Sequence, residues 1–91
     1  MHGAPSKATQ PTVTIRVSGK LFQGHLAYLE QLIQTATDCR LWALLDVAEL
    51  VEVDHAAVQF LMDGEGRDFG IVSCPSFVRE WMDHERKRKA A

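Results

Sequence analysis

The sequence predicts an α/β fold: a small, mainly parallel sheet with helices packed against it, in the order β-α-β-α-β-α. Three observations carry this. Apolar runs at residues 12–18, 41–47 and 69–74 read as strands. The stretches between and after them place apolar residues at helical spacing, as at Leu26, Leu29, Ile33 and Ala36. Strands separated by helix-length connections pair in parallel, because a parallel crossover needs about a dozen residues.

Residues 12–18 alternate Thr12, Thr14, Arg16 and Ser18 with Val13, Ile15 and Val17, the period of a half-buried strand. Gly19 is expected to stop it. A helix is predicted over residues 24–37, with Leu32 widening its apolar stripe. Residues 38–40 form a turn into the central strand. That strand, residues 41–47, is apolar without alternation except for Asp46, the pattern of a strand buried on both faces of a parallel sheet. Asp46 then marks its carboxyl end, where open α/β sheets place their working loops.

After a short loop, Asp54 is read as the N-cap of a second helix, accepting the amide hydrogen of Ala56 or Ala57. That helix carries Val58, Leu61 and Met62 inward, and Asp63-Gly64-Glu65-Gly66 ends it. Pro75 suits the first turn of a third helix, capped by Ser76 or Cys74, with Val78, Trp81 and Met82 on its apolar face. Trp42 and Trp81 read as packing residues. The charged end, residues 83–91, is expected to fray. The chain therefore divides into a flexible arm at 1–11, a domain at 12–84 and a charged tail at 85–91.

With 91 residues and a formal net charge of −2, the chain has room for one core and no case for a nucleic-acid surface. The basic run Arg86-Lys87-Arg88-Lys89 follows acidic residues and suits a solvated helix end. No apolar run approaches the roughly 18–20 residues of a membrane span, and no signal-peptide core opens the chain. Cys39 and Cys74 lack motif spacing and are expected to be reduced, buried thiols in a cytoplasmic protein.

The residues around Asp46 and Asp54 carry a resemblance. Val17-Ser18-Gly19-Lys20-Leu21 is similar to the early strand and Gly-x-Leu turn of the STAS domain, named for sulfate transporters and anti-sigma-factor antagonists. Leu44-Leu45-Asp46-Val47 resembles that family's central strand. Val53-Asp54-His55-Ala56-Ala57-Val58 stands where the family has Asp-Ser-Ser-Gly-Leu, and Ile71-Val72-Ser73-Cys74-Pro75-Ser76-Phe77-Val78-Arg79 resembles its last strand and following helix. The match spans roughly residues 12–83 and marks a short, divergent member.

The resemblance implies a protein-binding module in a bacterial regulatory or transport assembly. Its partner would be an anti-sigma factor or a histidine-kinase-like ATPase domain. In that family a serine at the helix start is phosphorylated, and the added charge breaks docking. Here Ala56 occupies that position, His55 replaces the preceding serine and Ala57 replaces the motif glycine. Alanine has no hydroxyl, so this chain is not switched by serine phosphorylation there.

The expected function is therefore a non-catalytic interaction module, not an enzyme, without cofactor or metal. Its docking surface comprises Asp46, Asp54, His55, Ala56 and Ala57. His55 is the side chain there whose ordinary titration lies near neutrality. Its modification, or that of Ser73 or Ser76, is the remaining route to a phospho-switch. The alternative is a small-molecule or nucleotide-sensing STAS-like domain with a pocket near Asp46 and Asp54, although no glycine-rich phosphate cradle is present. Cys74 with His25 or His84 has no spacing that fixes a nucleophile and base. Nor do Asp46, Glu52, Asp54 and His55 follow metal-ligand spacing. The exposed strand edge at residues 12–18 predicts completion by another chain, as a homodimer.

Overall fold

The computed structural model describes residues 10–90, so the arm expected over residues 1–11 lies outside them apart from Gln10 and Pro11. Strand β1 (Thr12–Leu21) leads to helix α1 (Gln23–Asp38), β2 (Trp42–Val53), α2 (His55–Gly64), β3 (Gly70–Ser73) and α3 (Ser76–Ala90). The sheet has order β1-β2-β3 with both pairings parallel, as the alternation of strands and helices requires.

The helices cover one face of this sheet. Along β2, Ala43, Leu45 and Val47 are at most 1% exposed, whereas Trp42, Leu44 and Asp46 between them are only half-buried. Alternate strand residues point to opposite faces, so the buried set faces the helices and the other set faces outward. The expectation of a strand buried on both faces is thus corrected. Trp42 and Leu44 are apolar but lie on the open side, so the sequence run hid the alternation that burial shows. Gly70 sits between them: a Cβ there would meet Leu44 Cδ2 at 3.0 Å and Trp42 Nε1 at 3.3 Å.

The core fills the space under the helices. Leu29, Ile33 and Ala36 of α1, Ala57, Val58 and Leu61 of α2, and Val78 and Met82 of α3 are buried against Leu21, Leu45, Val47, Leu50 and Val53. Phe69 enters from the α2–β3 loop, 1% exposed, and stacks on Phe60 with ring centroids 5.5 Å apart. Gly64 ends α2 against that ring, and its carbonyl accepts the amide hydrogens of Arg67, Asp68 and Phe69.

Strand β2 is longer than expected. It runs to Val53 without a loop, so Asp46 lies mid-strand and not at the carboxyl end. Two bulges account for the broken pattern. Arg16 pairs with Asp46 but Ser18 pairs with Glu49, leaving Val47 and Ala48 opposite Val17. Gly19 pairs with Leu50 and Lys20 with Glu52, leaving Val51 as a second extra residue. Asp46 Oδ1 accepts the Ala48 amide hydrogen at 3.2 Å, which supplies a partner at the first bulge. Gly19, at φ +77°, does not end β1; it turns the backbone beside the second bulge in a conformation that favours glycine.

Helix α3 also exceeds its expected length. The Pro75 carbonyl, at the position before the first helical residue, accepts the amide hydrogens of Val78 and Arg79, the first backbone bonds of the helix. The helix continues to Ala90 and does not fray at 83. Glu65, just after α2, ties it down: Arg79 donates to both its carboxylate oxygens and Arg86 Nη2 lies 3.3 Å from Oε1. Hydrogen bonding to Glu65 chiefly holds the Arg79 guanidinium in its charged form. Both cysteines are free thiols; Cys39 is exposed at the end of α1, contrary to the expected burial, and Cys74 is half-buried. Among the described residues, no helix is long and apolar enough to cross a membrane.

Candidate functional site at two helix starts

Asp54 lies where β2 ends and α2 begins, and its carboxylate serves two helices. Oδ1 accepts the Ala57 amide hydrogen at 2.9 Å, the expected N-cap of α2. Oδ2 accepts the Gln23 amide hydrogen at 2.9 Å, capping α1 from the end of the neighbouring strand. Helix α1 needs this help because its own N-cap position holds Phe22, which has no acceptor. His25 Nδ1 completes the arrangement by accepting the Phe22 amide hydrogen at 3.1 Å. One carboxylate thus fixes the start of α2 relative to the start of α1. The Gln23 and Ala57 amides hold the Asp54 carboxyl below its ordinary range, Gln23 contributing most.

The sign of the pH effect follows. The folded state lowers the Asp54 pKa, so this stabilisation is fully present above the ordinary carboxyl value, roughly 4. It is lost as pH falls through the lower, folded value. Asp54→Asn keeps an acceptor for Ala57 but offers Gln23 only an amide group. It is expected to lower Tm at pH 7 by roughly 5 °C, with Asp54→Ala lower still. The gap between wild type and Asp54→Asn should narrow in thermal melts as pH falls below the ordinary carboxyl value. A gap independent of pH would contradict the double cap.

The first residue of α2, His55, is exposed, and beneath it lies Glu85 of α3, 7% exposed and the one buried charged residue among those described. His55 Nε2 is 3.3 Å from Glu85 Oε1, and Arg88 Nη1 is 3.4 Å from Oε2. The hydrogen bond with His55 chiefly holds the Glu85 carboxyl below its usual range. Glu85 was invisible to sequence reasoning because it stands in a run of charges that reads as solvated. Its signal was positional, one residue in register with Val78 and Met82 on the inward stripe of α3.

Of the other site residues, Ala56 is half-buried and Ala57 fully buried. Ala57 therefore packs the helix onto the core, while Ala56 and His55 present its start outward. Asp46 does not join them. It sits on the open sheet face, mid-strand, 3.8 Å from Arg16 Nε. Val51, which sequence reasoning passed over, is 71% exposed and three residues before Asp54; the second bulge leaves it unpaired. Beside it Lys20 Nζ and Glu52 Oε1 are 3.9 Å apart, both exposed.

Surface cavities of about 240 and 270 Å³ lie elsewhere. The first, between α1 and α2, is lined by Glu30, Gln34, Phe60 and Asp68, and its two carboxylates oppose anionic ligands. The second runs along β1 and α1. Neither includes Asp46, Asp54 or His55 in its lining. Among the described residues, no group of three His, Cys, Asp or Glu side chains is placed to hold a metal ion. Burial raises the Cys74 thiol pKa, the wrong direction for a nucleophile at neutral pH.

No family model, curated protein or solved structure matches this chain.

Proposed function

We propose that the chain is a non-catalytic protein-interaction module that docks through the start of α2. The observation that carries this reading is Val51, a large apolar side chain 71% exposed near the end of β2, three residues before the Asp54 cap of α2. An exposed apolar side chain near the helix start offers a partner apolar surface to bury. Ala56 lets a partner backbone approach, and Asp54 holds the surface in place before binding, which reduces the ordering cost of association. The resemblance to STAS domains favours an anti-sigma factor or a histidine-kinase-like ATPase domain as the partner. With Ala56 at the family's phosphorylated position, docking there is constitutive with respect to serine phosphorylation.

Ala56→Glu tests this cleanly, because an acid in the first turn favours the helix and leaves the fold intact. Capture of a partner from the native host by wild type, and its loss by at least tenfold with Ala56→Glu and with Val51→Asp, is the expected result. Arg67→Glu, in the loop after α2, serves as the control and should capture as wild type does. Equal capture by all four proteins would place the interface elsewhere.

A further inference from the structure

Among the described residues, strand β1 is an edge, hydrogen-bonded to β2 on one side alone. We propose that its free side pairs with β1 of a second copy, antiparallel about a two-fold axis through Ile15, to form a continuous six-stranded sheet. This goes beyond the docking surface at α2 and does not depend on it.

The covering of this edge is incomplete. Val13, Ile15 and Val17 face the helices yet remain half-buried, although their neighbours Ala43, Leu45 and Val47 on β2 are sealed. Helix α1 leaves a groove of about 270 Å³ along β1, with Ile15, Val17, Leu29 and Leu32 in its lining. Tyr28 stands at that groove with 69% of its surface exposed.

Edge strands usually carry a device against pairing: a bulge, a proline, or a charge pointing inward. Over residues 12–18, β1 has none of these. The extra residues of both β1–β2 bulges lie on β2, Pro11 precedes the strand, and Arg16 points outward beside Asp46.

The sequence of β1 fits its own copy. A two-fold axis through Ile15 sets Val13 opposite Val17 and Ile15 opposite Ile15 on the helix side. On the open side it sets Thr12 opposite Ser18 and Thr14 opposite Arg16. Every opposed pair lies on the same face, so both helix layers fall on one side and the apolar strip continues across the joint. No like charges meet. An axis one residue further on would oppose Arg16 to Arg16, and one residue back would place Pro11, which has no amide hydrogen, within the ladder.

Exposed Thr14 gives a test that leaves the core untouched. Thr14→Lys faces the partner's cation at two symmetric places, and Thr14→Glu faces it with an opposite charge. Sedimentation equilibrium should show a dimer for wild type, weakened about tenfold by Thr14→Lys and tightened by Thr14→Glu, with the difference shrinking in high salt. Circular dichroism matching wild type would confirm that both variants fold. A wild-type protein still monomeric at about 100 µM overturns the proposal. A dimer indifferent to both substitutions overturns it equally, since its interface would then lie off this edge.

Discussion

Phe69→Ala is expected to remove a large part of the domain's stability. Phe69 is the bulkiest of the fully buried side chains, and its ring closes the core between Phe60, the end of α2 and the start of β3. Truncating a buried phenylalanine costs about 3–5 kcal/mol, through lost transfer energy and the cavity left behind. A domain of this length is stabilised by roughly 5–10 kcal/mol, so the loss consumes a large part of it. At about 4–8 °C per kcal/mol, Tm should fall by about 12 °C or more. Differential scanning calorimetry would measure it, and a shift below about 5 °C would mean that the loop collapses into the space or that the ring packs less closely than described.

Gly64→Ala is expected to destabilise although alanine is the better helix former. Alanine gains up to about 1 kcal/mol of helix propensity over glycine. Against this, a Cβ at Gly64 would overlap Phe69 Cε2 and lie 2.6 Å from Cζ. That ring is confined by Phe60 and the core, and overpacking of this kind costs about 1–3 kcal/mol. The clash outweighs the propensity gain, giving a net loss of about 1–2 kcal/mol. The decisive measurement is the double variant Gly64→Ala, Phe69→Leu. A smaller side chain at 69 should relieve the overlap, so the two substitutions together should cost about 1 kcal/mol less than their sum. Strict additivity in urea unfolding would show that the ring is not the obstacle.

The local sequence around Gly64 and Phe69 places both residues only roughly. Gly64 reads as a helix stop, and it is one. Its close approach to Phe69 follows from the fold of the loop between α2 and β3, which brings together residues five apart. By its pattern Phe69 belongs to the third strand, whereas β3 begins at Gly70 and the phenylalanine packs just before it.

The candidate site divides in the same way. Asp54 as the N-cap of α2 is legible because a local rule governs it: an acceptor one residue before a helix start satisfies amides otherwise left free. Its second bond, to Gln23, joins residues 31 apart, and no local pattern announces it. Asp46 misled for a related reason. A carboxylate after an apolar run suggests a strand end, but this one accepts the Ala48 amide hydrogen at a bulge, so the strand continues past it.

By itself the sequence determined the element order, the parallel sheet, the Asp54 cap of α2 and the inward stripes of α1 and α2. Periodicity and capping depend on neighbours within a few residues, so they are written in the chain. Only the tertiary structure decided which face of β2 is covered, where the ladder slips, that Glu85 is enclosed, that β1 has an open edge and that Asp54 caps α1 as well. Each of these depends on which distant segment lies alongside, and apolar side chains such as Trp42 and Leu44 satisfy the same local pattern whether a helix covers them or not.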